Sequence, residues 1–170
     1  ATVRNPNYFF KESIAWSDVV TGPLSFRYYP AGHTFDAAAN SVFFDDPSIF
    51  APLMALSNNC LVKQMAPILN PTMHFKIGDF SAFPTAFRTD DRLSEDIEAL
   101  VSMSKSDWDA YETSWDFTTL PLLGPDHRAE TLEATYTALR THWQGMTDEM
   151  LTLEEENNRI FIDASGLQDE

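Results

Sequence analysis

Residues 8–36 read YFFKESIAWSDVVTGPLSFRYYPAGHTFD, and the fold class turns on them. Two aromatic-rich runs, 8–16 and 24–29, flank the turn Thr21-Gly22-Pro23 and predict a strand pair. Lys11 and Arg27 lie inside these runs. Rings beside cations suit a surface that reads a polyanion, but a compact core needs rings as well.

Outward from this pair, residues 34–44 predict a third strand, interrupted by Ala37-Ala38-Ala39. Asp46-Pro47-Ser48 supplies a helix start. Apolar helical segments follow at 49–56 and 60–69, the second to be bent or ended by Pro67. Asn70-Pro71-Thr72 marks a turn into a short strand at 73–77, and 80–83 form a brief helical turn stopped by Pro84. Further along, Ser94 opens a helix over 96–103. Ser104 and Asp107 then resemble a capping box for another short helix. After a break at 120–125, residues 127–143 and 147–162 predict two long helices, paired as an antiparallel hairpin around Gly145. The rings of Trp108, Tyr111, Trp115 and Phe117, flanked by acids, are expected to pack as a bridge between the halves.

The expected fold class is therefore α+β. A small twisted β-sheet with helices occupies residues 1–90, and an acidic helical segment ending in a helical hairpin occupies 91–170, with a boundary near 88–92.

At 170 residues and 44% apolar, the chain can bury a core of its own. No apolar run approaches the roughly 18 residues that a membrane-spanning helix needs. Cys60, the single cysteine, excludes an intrachain disulfide and a multi-cysteine zinc site. Within the apolar run NCLVKQMAPIL it reads as a buried thiol in a reducing, cytoplasmic setting. The sequence opens ATVRNPNYFF, without an initiator methionine, and closes GLQDE straight after a helical pattern. It reads as a piece of a longer protein.

The net charge of −15 is unevenly spread. Residues 1–90 carry six Lys and Arg against seven Asp and Glu, whereas 91–170 carry five against nineteen. The first half can place local positive charge on one face, while the second repels phosphate.

No self-contained active site is legible. Asn5-Pro6-Asn7-Tyr8 superficially resembles the Asn-Pro-Pro-Tyr loop that holds a flipped base in adenine N6-methyltransferases, yet Asn7 replaces the second proline. No Gly-rich strand–turn–helix unit for S-adenosylmethionine precedes it, and an ordinary turn is the better reading. His33, His74, His127 and His142 lack metal-ligand spacing. The pairs Asp45-Asp46 and Asp90-Asp91 read as helix caps or loops. Ser17, Ser41 and Ser114 have neither a nearby histidine nor nucleophile-elbow glycines. What remains is a set of polar groups in the first half. Lys11, Arg27, Lys63, His74 and Lys76 can reach phosphates or base edges, and Ser17, Asp18 and Thr21 lie in the turn between the first two strands.

Four ordered blocks resemble the adenine-specific DNA methyltransferases of BREX phage defence (PglX type), relatives of the type IIG restriction–modification enzymes. The run YFFKESIAWSDVVTGPLSFRYYPAGHTFDAAANSVFF is similar to the family's Phe-Arg/Lys-Glu-Gly-Ile-Thr-Trp-Ser segment and its continuation, with Ser13 where the family tends to have Gly and Ala15 where it tends to have Thr. LSNNCLVKQMAPILNPTMHFKIGDFSAFP resembles a Leu-Asn-Pro-Thr…Phe…Val-Gly-Asp-Ile block. SKSDWDAYETSWDFTTLPLL and EENNRIFIDASGLQDE resemble two blocks further along.

The resemblance implies a fragment of the target-recognition region, without catalytic activity of its own. S-adenosylmethionine would bind elsewhere in the parent, and double-stranded DNA would be the partner reached through that parent. Lys11, Trp16, Ser17, Arg27, Tyr28, Asn70, Thr72 and Phe75 match the family pattern, with Trp16 and Phe75 equally suited to a core. Base readers should differ between relatives, which adds Asp18, His74 and Lys76. The expected DNA-binding set is thus Lys11, Ser17, Asp18, Thr21, Arg27, Tyr28, Asn70, Thr72, His74 and Lys76. The alternative is an acidic interaction module that docks to other defence-complex subunits.

Overall fold

The computed structural model describes residues 5–84 and 91–168, with Asp91 described in its backbone only. The α+β class is as expected: a three-stranded antiparallel sheet in the order β2-β1-β3 together with helices. The strands are β1 (Ser13–Ser17), β2 (Arg27–Tyr29) and β3 (Ala39–Val42). Helices follow at α1 (Phe50–Asn58), α2 (Cys60–Leu69), α3 (Ile77–Phe80), α4 (Asp91–Asp109) and α5 (Leu132–Ser165). Residues 1–97 with 157–170 form one compact unit and residues 98–156 a second. Part of the boundary expected at 88–92 lies outside the described residues.

The strands are shorter than their apolar runs, and each truncation has a local cause. Pro6–Tyr8 form a 3-10 turn and Phe10 sits at φ 66, a left-handed conformation that ends any extended run, so β1 opens only at Ser13. Phe26 donates its N–H to Asn58 Oδ1 at 3.0 Å and accepts from Asn58 Nδ2 at 3.1 Å. A side-chain amide thus stands in for a neighbouring strand, and β2 begins one residue later. Asp36 accepts from the Ala38 N–H at 2.8 Å, a turn that holds β3 to 39–42. The strand expected at 73–77 is reduced to one antiparallel bridge, Val19 to His74.

β1 is buried from Ser13 to Trp16, and its alternate residues Ile14 and Trp16 face the core with Tyr28 of β2 and Asn40 and Val42 of β3. Trp16 meets Phe26 at 5.1 Å, Phe80 at 4.9 Å and Phe75 at 6.3 Å between ring centroids, and Phe83 stacks on Phe75 at 5.7 Å. Trp16 and Phe26 of the opening stretch are therefore core, whereas its Tyr8, Phe10 and Tyr29 are exposed.

α1 is buried from Ala51 to Ser57, as its all-round apolar sequence requires. Asn59 caps α2, accepting from the Val62 N–H at 2.9 Å, and α2 runs through Pro67 to Leu69. The Asn157 amide donates to the Ala55 carbonyl at 3.0 Å, and Asn158 Oδ1 accepts from the Cys60 N–H at 2.8 Å.

Two helical expectations are corrected. Ser104 caps nothing, because α4 is continuous from Asp91 to Asp109. No hairpin forms at Gly145, because α5 is one helix of 34 residues. Gly145 is absent from the positive-φ positions, and a lone helical glycine costs only about 1 kcal/mol. Of the rings expected to pack there as a bridge, Trp108 and Tyr111 are exposed and Trp115 is fully so at 101%. Polar bonds organise that segment instead. Lys105 pairs with Asp109 and, at 2.7 Å, with Asp116, while the Ser114 hydroxyl donates to Asp109 at 2.6 Å.

Candidate nucleic-acid interface

Beyond β1 the chain bends at Asp18, and residues 18–20 meet residues 73–75. Val20 N–H donates to the Met73 carbonyl at 2.8 Å, and Phe75 N–H donates to the Asp18 carbonyl at 2.9 Å. Two segments singled out separately in the sequence, 17–21 and 70–76, are thereby joined edge to edge.

Their side chains form one polar cluster. Asp18 Oδ2 lies 2.9 Å from His74 Nδ1, and Asp18 Oδ1 lies 3.3 Å from Lys76 Nζ. The Asp18 side chain is 14% exposed, whereas His74 and Lys76 reach solvent at 54% and 66%. The His74 contact chiefly holds the Asp18 carboxyl below its ordinary value, with Lys76 and Asn40 adding to this against the opposing effect of burial. Asn70 anchors the second segment. Its amide donates to the His74 carbonyl and to Asp79 Oδ2, both at 2.7 Å, and its Oδ1 accepts from the Thr72 N–H at 2.9 Å and hydroxyl at 2.7 Å. Asp79 also accepts from the Lys76 N–H at 2.8 Å, which caps α3.

Ser17, Thr21 and Arg27 lie elsewhere, around a cleft of about 250 Å³ on the outward face of the sheet. Lys11 lines a smaller cleft on the same face, its Nζ 5.3 Å from the Tyr8 ring centroid. Tyr28, between Arg27 and Tyr29 in β2, alternates to the opposite face. There its hydroxyl donates to Glu12 at 3.0 Å and its ring meets Phe50 at 4.8 Å. Burial first, and the Glu12 carboxylate second, raise the Tyr28 phenol above its ordinary value. The ten expected residues thus fall into a charge-compensated cluster, a cationic sheet face and one half-buried tyrosine.

Asn40 and Asp79 belong to the cluster but were not expected there. Asp79 had a signal, since an acid three residues after Lys76 is where a helix N-terminus takes a capping carboxylate. Asn40 had none, because its place follows from its pairing with Trp16 across the sheet. In the second unit, His127 and His142 bring their ring centroids to 4.6 Å. Among the described residues, no three His, Cys, Asp or Glu side chains converge as a metal site, and no helix is long and apolar enough to cross a membrane.

No protein-family model matches the sequence. Two curated proteins match nearly all of it. The adenine-specific methyltransferase PglX of Lacticaseibacillus casei (strain Zhang) is 37% identical over 169 residues, 98% of this chain. The adenine-specific methyltransferase BrxX of Escherichia coli O9:H4 (strain HS) is 28% identical over 171 residues, 99% of this chain. The chain spans only 14% of the length of each. The resemblance read from its four sequence blocks is borne out.

Proposed function

We propose, from its kinship with one segment of the adenine-specific methyltransferases PglX and BrxX, that this chain helps such an enzyme recognise its DNA target. The observation that carries this reading is the junction of residues 18–20 with 73–75. It gathers Asp18, Thr72, His74 and Lys76 into a fixed pattern of donors and acceptors at a solvent-facing edge. Base edges are read by such fixed patterns, whereas phosphates call for uncompensated cations. Lys11 and Arg27 make no ion pair among the described residues, and they would supply the phosphate contacts.

The segment performs no methyl transfer itself in this reading. A methyltransferase needs a methyl donor, ordinarily S-adenosylmethionine. All three strands here are antiparallel, and no Gly-rich turn joins a strand to a helix among the described residues, so these residues do not fit that group. The donor would be held in the remaining length of the parent.

Charge reversal in a full-length methyltransferase carrying this segment tests the proposal. Lys76→Glu, at the junction itself, should weaken equilibrium binding to target duplex by tenfold or more. Unchanged binding would favour the second reading, in which the chain is an acidic docking module for other subunits of a defence complex. The exposed Trp108, Tyr111 and Trp115, set among acids in the second unit, are the observation behind that alternative.

A further inference from the structure

We infer, resting on the recognition reading, that the outward face of the sheet is a track for the phosphodiester backbone of DNA. Strand register puts Ser13 opposite Tyr29 and Ala15 opposite Arg27 on one side. On the other, Ala15 lies opposite Ser41 and Ser17 opposite Ala39. Directly paired residues share a face, so this one is floored by Ser and Ala and flanked by Arg27 and Tyr29.

The two clefts open on this face and meet at Ala15, Tyr29 and Ala39. The larger adds the hydroxyls of Ser17, Thr21 and Ser25 to Arg27, and the smaller adds Lys11 and His33. In a chain with 26 acidic residues, no described Asp or Glu lines either cleft. Asp18, the neighbour of Ser17, is drawn to His74 and Lys76 and does not line the face.

Each feature suits a nucleic-acid backbone. Ser13 and Ala15 are buried at the bottom of this face, and the small, half-buried Ala39 and Ser41 beside them leave room for a backbone to come close. The hydroxyls and Arg27 offer donors to phosphate oxygens, and the exposed ring of Tyr29 offers a surface for a sugar or base. Lys11 and Arg27, together on a face lined by no described acid, give a polyanion a local attraction in a chain of net charge −15.

The test places opposite charges at Ala39, the half-buried position where the clefts meet, in this chain. Binding to a labelled random-sequence duplex is followed by fluorescence anisotropy across a salt series, with melting temperatures as the check on folding. Ala39→Glu should weaken binding at least tenfold and Ala39→Lys should strengthen it severalfold, with melting unchanged in both. Arg27→Gln, at an exposed site, provides a variant with little risk to the fold. It should lower the salt dependence by about one released counterion. If the unaltered chain binds and all three variants match it in affinity and salt slope, the track is overturned while the recognition reading stands. If the unaltered chain does not bind even at low salt, both fall together.

Discussion

The indole N–H of Trp16 donates to the Phe75 carbonyl at 2.9 Å, a buried bond between residues 59 positions apart. It fastens β1 to the segment that carries His74 and Lys76. The same carbonyl accepts from Asn40 Nδ2 at 3.1 Å, so β3 holds the junction as well.

Trp16→Phe removes the indole donor and part of its volume but leaves the Asn40 bond in place. The expected cost is about 2 kcal/mol, from one lost hydrogen bond and incomplete repacking, read by urea denaturation. Trp115→Phe, at the fully exposed ring, should stay within about 0.5 kcal/mol of the parent.

Acid should loosen the cluster. The Asp18 carboxyl titrates below its ordinary 3.8 mainly through His74, and Asp79 below the same value mainly through the Lys76 N–H. A folded-state value below the unfolded one means that the stabilisation is complete above the ordinary carboxylate range. It is lost as pH falls through the depressed folded values. The melting temperature should therefore hold from neutrality to about pH 5 and drop below about pH 4. Asp18→Asn should flatten part of that drop, as circular dichroism melts across the acid range would reveal. A melting curve for Asp18→Asn with the full acid drop would exclude Asp18 as a contributor.

Gly145→Ala should stabilise α5. A Cβ there meets nothing within 4 Å, and the glycine is not at positive φ. Removing its backbone freedom is worth about 0.5–1 kcal/mol, visible as a rise in melting temperature. A fall would mean that the helix is interrupted at this position in solution.

Local signals carried much of the fold. The cap at Asp46, the turn at Asn70-Pro71-Thr72 and the strand pair around Gly22-Pro23 all follow from nearby residues. Misread features depended on distant ones. Asn58 takes Phe26 out of β2 from 32 positions away, and no periodicity in residues 24–29 encodes that. Gly145 looked like punctuation because glycine ends helices only where the chain turns left-handed, which its neighbours do not reveal. Of the candidate site, the residues were legible but their grouping was not. That Asp18 would compensate His74 and Lys76, leaving Arg27 and Lys11 without an ion pair among the described residues, follows only from the bridge between Val19 and His74.

The bonds from Asn157 to Ala55 and from Asn158 to Cys60 also set an order of events during synthesis. They join positions 102 and 98 residues apart, and the whole second unit is made in between. A nascent chain therefore carries the sheet, α1 and α2 with one side unsealed until α5 has nearly left the ribosome. Closing so long an interval late is an entropically costly, slow step. Through that interval the Ala55 carbonyl and the Cys60 N–H wait for the partners that Asn157 and Asn158 bring.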